Sequence, residues 1–470
     1  MRVLPGAATR TATRTATRTA TRTPTMTARR VAAVVAVLAV VLAGCGAGGR
    51  EQQQQQQPGG ASDVGVTPTS VRVGAHFPLT GVAAPGYSEI PTGTRAYFDW
   101  VNARGGVNGR QIEYLFRDDA YTPTQTTQVV NELVLRDQVF AVLGGLGTAP
   151  HGAVLDFLNG ERVPDLFASS GSLLWNQPQQ NPMTFGWQPD YEVEGKILGQ
   201  YIAQTSPNAR VGLLLQDDDF GRDGEAGVRR SLDRQIVSVA RYTSGATDIA
   251  PQITQLQAAG ADLVIGFTVP AYTARSQLAA QRLNYRPQWA YSNVGSDPTL
   301  VGGLLRRLSP GEGGPNPLEG VLTTEYLPGP DETGDPWVQL FSQVWAAHGD
   351  GSPLTSFRIY GMAEAYTFVQ ALQAAGAAPT RQGIVDAVER QGGGPNGFRG
   401  PAFPPFRYSP QSHAGMGGVA VARLQGGGTA PLTPVRLTDN GAAPIVDAPA
   451  QDRPAPPPQG VPTVVPTGNG

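Results

Sequence analysis

Short apolar runs of strand length recur along this sequence, separated by longer stretches whose apolar residues return every three or four positions. Val71–Phe77 (VRVGAHF) alternates apolar and polar residues, the two-residue period of a strand. Pro91–Asn102 places Ala96, Tyr97, Trp100 and Val101 at helical spacing. It opens on a proline suited to a first helical turn and stops at Gly105-Gly106. Gln111–Phe116 reads as a strand, Thr124–Arg136 as a helix, Val139–Leu143 as a buried strand and Gly152–Asn159 as a helix. Further strands are expected near Asp165–Ala168, Val211–Gln216, Ile236–Ala240 and Asp262–Phe267, with helices between them. Asp335–Arg390 is mostly helical, including Ser356–Ala375. Repeated strand–helix units build parallel sheets, and a parallel sheet needs helices on both faces. The sequence therefore predicts an α/β fold of two doubly wound lobes, with ligands bound beyond the carboxyl ends of the strands.

The ends of the chain obey different rules. Cys45, the lone cysteine among 470 residues, directly follows an apolar run from Val31 to Leu42. About 12 residues at about 1.5 Å each cover roughly 18 Å of a ~30 Å hydrocarbon core, too little for a permanent span. The run suits the apolar region of a signal peptide, with Arg29-Arg30 as its basic region. Leu42-Ala43-Gly44-Cys45 resembles the lipobox of bacterial lipoproteins. That implies removal of residues 1–44, lipid on the Cys45 thiol, and an exported chain anchored to the outer face of the cell membrane. Thr9–Thr23 repeats T-R-T-A without an apolar face, and Met26 opens a complete leader, so translation is expected to begin at Met26. Residues 45–66 form a lipidated N-terminus and Gly/Gln/Pro tether, and residues 441–470 read as a disordered Pro/Ala-rich tail. Between them lie roughly 375 residues, enough for two domains. A net charge of −2, with no basic cluster in the mature part, speaks against a nucleic-acid partner. With Cys45 lipidated no disulfide can form, so the core alone must hold the fold.

Enzyme chemistry finds no footing. His76, His151, His348 and His413 are not spaced as a zinc pair, and no cysteine can join them. The sequence has neither a G-x-S-x-G elbow nor a phosphate-binding G-x-x-x-x-G-K-[ST] loop. Val139–Gly152 (VFAVLGGLGTAPHG) is a strand, a glycine turn and a helix, but Pro150 stands where a dinucleotide site needs its third glycine. A turn that lets a ligand or strand approach the backbone is the better reading. Asp217–Gly221 (DDDFG) is acidic enough for a metal, yet at a strand end it reads as a solvated turn and helix cap. No metal, cofactor or catalytic residue is expected.

The strand ends carry hydroxyls, glycines and aromatics instead. In Leu166–Trp175 (LFASSGSLLW), Ser169, Ser170, Gly171 and Ser172 lie between a short strand and an apolar helix start. Hydroxyls and free N–H groups there can seat a carboxylate or phosphate. The same serines can also serve merely as helix caps. Thr148, after the neighbouring glycine turn, adds a donor and favours the anion site.

VRVGAHFPLTG, YFDWVNARGGVNGRQIEYLFRDDAYTPTQT, LFASSGS and QDDDFGRDG together resemble the substrate-binding lipoproteins of branched-chain amino acid ABC transporters, the leucine/isoleucine/valine-binding family, over roughly Val71–Leu424. The resemblance implies a type I periplasmic-binding fold: two Rossmann-like lobes joined by three crossovers that close on a ligand without chemistry. The crossovers would fall near Phe185–Asp190, Thr323–Pro328 and Gly397–Phe406. Residues 67–188 plus 325–398 would make lobe 1, and residues 189–324 plus 399–440 lobe 2.

Carried over by position, the ligand carboxylate and amine would meet Thr148, Ala149, Ser169 and Gly171, with Ser170 and Ser172 close by. Phe220 would supply the second-lobe aromatic and Tyr87 a pocket wall. Two positions depart from the family. Its second-lobe tyrosine falls at Val269, and the acid that pairs with the ligand amine falls at Asn293, which offers a carbonyl but no charge. A desolvated ammonium needs a counter-charge or several acceptors; Asp217–Asp219 could substitute. The cysteine pair of some members maps near Tyr121 and Gly147. The resulting expectation is an extracytoplasmic lipoprotein that captures a small carboxylate-bearing solute, a branched-chain amino acid or a related acid or amide, and delivers it to an ABC permease. The alternative is a ligand-sensing lipoprotein of the same fold that signals to a membrane partner.

Overall fold

The computed structural model describes residues 62–308, 318–394, 396–449 and 453–464. The leader of residues 1–44, Cys45 and the tether up to residue 61 lie outside the described residues. Five strands build the first sheet: β1 (Ser70–Phe77), β2 (Gln111–Asp118), β3 (Ala141–Leu143), β4 (Asp165–Ala168) and β5 (Thr184–Gly186). They run parallel in the order β2-β1-β3-β4-β5, with Val71 opposite Ile112 and Val73 opposite Ala141.

The second sheet starts with β6 (Val211–Gln216), β7 (Ile236–Tyr242), β8 (Leu263–Phe267), β9 (Gln288–Tyr291) and β10 (Leu322–Glu325), all parallel. It is completed by antiparallel β11 (Gly418–Gln425), β12 (Gly428–Pro431), β13 (Arg436–Leu437) and β14 (Val446–Asp447). The order is β14-β13-β11-β10-β9-β8-β6-β7, with β12 paired to β11. Every residue of β3, β6 and β8 is buried, as sheets covered on both faces require. The chain crosses between sheets three times: after β5, after β10 and before β11. Between the last two crossings the Ser356–Ala374 helix packs on the Ile90–Asn102 helix beside the first sheet.

Local chemistry sets where the helices begin. Asp190 accepts from Val193 N at the start of Tyr191–Thr205, and Asp218 from Phe220 N at the start of Asp219–Leu232. These two helices approach backbone to backbone. A Cβ on Gly195 would meet Gly224 O, and one on Gly227 would collide with Glu192 O.

Several elements differ from the sequence reading. The helix expected over Thr124–Arg136 is Pro123–Asn131 running into a wider π turn, Glu132–Arg136. Gly152–Asn159 is two short helices, Thr148–Gly152 and Leu155–Gly160. The tail expected to be disordered from residue 441 is held in place over its described residues. Lys196, the chain's single lysine, donates to the carbonyls of Asp439, Gly441 and Ala443 at 3.1, 3.1 and 2.7 Å. Farther on, Trp337 Nε1 donates to Pro454 O at 2.8 Å and Tyr97 OH to Gly460 O at 2.7 Å, while Gln373 pairs with Pro462 O and Val464 N. A proline-rich segment keeps its carbonyls free, so side-chain donors on the first lobe can tie it down without a strand or helix.

The first lobe also joins two histidines 75 positions apart. Asp119 Oδ2, His76, His151 and Asp165 Oδ2 form one buried chain of contacts at 2.7, 2.8 and 3.0 Å. Burial lowers His76 below the usual imidazole range, while the Asp119 hydrogen bond pulls it back up. Gly145 lies against both rings, and a Cβ there would collide with them.

Candidate functional site

The loops at the carboxyl ends of the two sheets face one another and enclose a cleft of about 230 Å³. On the first-lobe side, β3 runs into the Gly144–Gly147 turn, with φ of 67° at Gly144 and 98° at Gly147. The tight φ at Gly147 and the contact its Cβ would make with the Tyr121 ring leave room there for glycine alone. Tyr121 and Gly147 are thus in contact and both line the cleft. Tyr121 itself has a left-handed backbone, φ 59°, which Asp119 Oδ1 holds by accepting from its N–H at 2.9 Å. The glycine turn is stitched to the serine loop: Ser169 N donates to Gly145 O and Gly147 N to Ser169 O, at 3.1 and 3.3 Å. One residue pair earlier, the buried Phe167 sits at φ 63°, a conformation that costs a bulky residue about 1–3 kcal/mol.

Of the residues named from the sequence, Tyr87, Ser169, Phe220, Val269 and Asn293 line this one cleft. The others do not. Thr148 and Ser170 lie one layer behind it, buried and hydrogen-bonded to each other at 2.8 Å, with Tyr191 OH 3.5 Å from Ser170 Oγ. Gly171 is packed on Pro189 O and Tyr191, and Ala149 is exposed to solvent. Ser172 caps the Leu173–Trp175 turn, accepting from Leu174 N. Its hydroxyl also donates across the gap to Asp223 Oδ2 of the second lobe at 3.2 Å, and Leu173 N reaches the same oxygen at 3.0 Å. Ser172 therefore ties the lobes together instead of facing the cleft. Burial pushes Asp223 up to about 6. Within the second lobe the rings of Tyr191 and Phe220 pack at a tilt, 4.4 Å between centroids, on the cleft wall.

Asp217, Asp218 and Asp219, which could substitute for the missing charge, do not line the cleft. Asp218 caps its helix and Asp219 pairs with Arg222 at 2.7 Å. Under Asn293 lies Glu194, which is fully buried. It accepts from Asn293 N at 2.8 Å, from Ser292 Oγ at 3.0 Å and from Thr324 Oγ1. Burial raises its pKa and these three donors draw it down. The Asn293 Nδ2 group has no hydrogen-bond partner. The charged side chains that line the cleft are Asp297, Glu325 and Asp331, all acids; among the described residues no Lys, Arg or His lines it. Burial pushes Glu325 up to about 7, against the pull of Thr429 and with repulsion from Glu332 and Asp331. The rest of the wall is largely aromatic, including Tyr121, Tyr191, Tyr326, Phe357 and Tyr360.

Sequence reasoning missed Glu194, Glu325 and Glu364, whose Oε1 lies 2.9 Å from Ser169 Oγ. A signal existed for Glu364. It is a lone acid in the apolar stretch Gly361–Val369, on a helix buried nearly all round. Among the described residues no group of three or more His, Cys, Asp or Glu could hold a metal ion, and no helix is long and apolar enough to cross a membrane.

Comparison with known proteins agrees with this architecture. A sequence profile of the periplasmic binding protein family matches residues 70–429. An amino acid binding protein of Pseudomonas aeruginosa is 26% identical over 269 residues, 54% of this chain and 66% of that protein. The match to Leu/Ile/Val-binding protein homolog 2 of Brucella abortus spans 54% of that relative's length. Leu/Ile/Val-binding protein homolog 1 of Brucella suis is 25% identical over 337 residues, 68% of this chain and 83% of that protein. Among solved structures, a valine-bound branched-chain amino acid ABC transporter protein from Thermus thermophilus superposes with a TM-score of 0.68 at 21% identity, covering 81% of this chain and 98% of that one. A fatty acid ABC transporter substrate-binding protein from Thermomonospora curvata gives the same TM-score of 0.68 at 21% identity, covering 81% and 96%. Two α/β lobes built on largely parallel sheets and crossed three times, a cleft at their strand ends, and a profile match across both lobes make one conclusion: the chain belongs to the periplasmic binding protein family and has its type I fold.

Proposed function

We propose that the chain is an exported, lipid-anchored solute-binding protein that captures a small carboxylate-bearing solute between its lobes and passes it to an ABC permease. The observation that carries this reading is the composition of the cleft. Hydroxyl and glycine-turn groups of the first lobe oppose Phe220, Val269 and Asn293 of the second, with aromatic walls and no basic side chain. A carboxylate there would rest on Ser169 and backbone N–H groups, while a ligand ammonium would find its counter-charge among Glu325, Asp297 and Asp331. An amino acid with an apolar side chain suits both ends. The names of the Pseudomonas and Brucella relatives support the same class. A second reading, an amine-free fatty or branched acid, is favoured by the apolar wall of Ile90, Leu146, Val294 and Leu327 and by the Thermomonospora neighbour.

A thermal-shift panel separates the two. Leucine, isoleucine and valine are compared with the matched acids and amides lacking the amine. A ligand at ~100 times its Kd adds about 2.7 kcal/mol of stability. Shifts with the amino acids alone support the first reading and shifts with the amine-free acids alone support the second. No shift with any member rejects both.

A further inference from the structure

Glu364 lies midway along the Ser356–Ala374 helix, fully buried, with its carboxyl pressed against Gly144 of the cleft-lining turn. Its two oxygens are unequal. Oε1 is 2.9 Å from Ser169 Oγ, and Oε2 has no hydrogen-bond partner. The titratable groups facing it are the tyrosines 114, 326, 360 and 408, and no cation offsets it. A carboxylate buried with one hydrogen bond and no counter-ion is strongly disfavoured against the neutral acid.

An acid has one O–H to place. On Oε2 it would be a buried donor without an acceptor; on Oε1 it meets Ser169 Oγ. Buried orphan donors are rarer than under-used carbonyl oxygens, so the proton belongs on Oε1. Ser169 Oγ then accepts, which leaves its single hydrogen for the cleft it lines. The neighbouring Tyr360 OH gives its own hydrogen to Gln188 Oε1 at 3.1 Å and accepts from Ser169, so a solute oxygen competes with Tyr360 for the Ser169 hydrogen.

We propose that Glu364 is a positioning residue, held as a carboxylic acid that donates to Ser169 and thereby fixes Ser169 as a donor toward a carboxylate or carbonyl oxygen of the bound solute. Were Glu364 ionised, the Ser169 hydrogen would turn inward and the cleft would meet only lone pairs, suited to an ammonium. One buried proton thus decides which end of an amino acid this wall accepts. The solute half of this proposal rests on the function proposed above; the proton half does not.

The test uses purified protein, calorimetric titration and the probes L-leucine, 4-methylpentanoate and 3-methylbutylamine, with infrared difference spectra of wild type against Glu364→Gln. The expected result has four parts. Wild type shows a protonated-carboxyl band at neutral pH that Glu364→Gln lacks. Glu364→Gln, whose amide N–H replaces the O–H, binds the acid-bearing probes within about threefold of wild type, whereas Glu364→Met weakens them about tenfold or more. Wild-type affinity falls as alkaline pH ionises Glu364, and Glu364→Gln stays flat. 3-Methylbutylamine does not bind at the Ser169 wall. Absence of the band, Glu364→Met binding like wild type, or 3-methylbutylamine binding that Ser169→Ala abolishes would each overturn the proposal. If none of the probes binds wild type, the solute reading fails and the infrared band alone decides the proton, its presence for and its absence against.

Discussion

Replacing His151 by phenylalanine tests how the floor of the first lobe is held. His151 bridges His76 at 2.8 Å and Asp165 at 3.0 Å, and all three side chains are wholly buried. His151 thus has a buried partner at each ring nitrogen, His76 at Nδ1 and Asp165 at Nε2. Phenylalanine keeps the ring packing on Trp175, whose centroid is 4.9 Å away, so little apolar contact is lost. What is lost is both bonds. Asp165 keeps only the hydroxyl of Thr184 at 2.9 Å. Leaving a buried polar group without its partner costs about 1–3 kcal/mol, and His151→Phe leaves two, so stability should fall by about 2–5 kcal/mol. Urea unfolding followed by tryptophan fluorescence measures it. Asp165→Leu combined with His151→Phe should be less damaging than the sum of the single changes, because the stranded carboxylate is gone. A His151→Phe loss below about 1 kcal/mol, or strict additivity in the double variant, would refute the reasoning.

Other predictions follow from the cleft and its frame. Asp223→Ala removes the acceptor shared by Ser172 Oγ and Leu173 N, so the closed state loses about 1–2 kcal/mol and ligand Kd rises about 5–30-fold; an interlobe fluorescence pair should report a more open mean distance, and unchanged affinity would disprove the tie. Glu325 has a folded pKa of about 7 against an ordinary 4.5, so its contribution is present below pH 4.5 and is lost as pH rises to 7. The difference in stability between wild type and Glu325→Gln should change by up to about 3 kcal/mol over that window, measured by urea unfolding at each pH, and a flat difference contradicts the assignment. Gly227→Ala forces the Tyr191–Thr205 and Asp219–Leu232 helices apart and should cost about 1–3 kcal/mol by the same assay; a neutral effect would mean the helices are not in backbone contact.

The fold was legible where residues carry their own period. β1 announces itself by alternation and β6 and β8 by short apolar runs, and glycine turns mark where strands end. β11 through β14 were not legible, because hairpin strands of two to eight residues in Gly- and Pro-rich sequence carry too few apolar positions to show a period. Docking of residues 453–464 left no trace for a related reason: its bonds come from Trp337, Tyr97 and Gln373, far away in sequence.

The site shows the same division. Ser169 was visible as a hydroxyl after a strand, and so was Ser172, yet only the folded chain shows that one faces the cleft and the other spans the lobes. Composition cannot tell a capping serine from a ligand-facing one, since both need the same residue at the same kind of strand end. Glu364 sits in a helix whose surrounding stretch is otherwise apolar, the one available sign that its carboxyl is buried, whereas Glu194 shares its helix with Glu192, Lys196 and Gln200 and gave no such sign. His76 and His151 gave none, because a contact across 75 positions has no local signature.

The central claim, that one solute is gripped between the two lobes, is tested most directly by calorimetric titration of L-leucine and 4-methylpentanoate into wild type, Ser169→Ala and Phe220→Ala. The variants alter one cleft wall each, on opposite lobes. The account predicts a single saturable site for at least one of the two, weakened in both variants, with the melting temperature held in Ser169→Ala and lowered in Phe220→Ala, which loses a buried ring but stays folded at the assay temperature. Saturable binding that neither variant changes, or no binding to wild type at all, would contradict it.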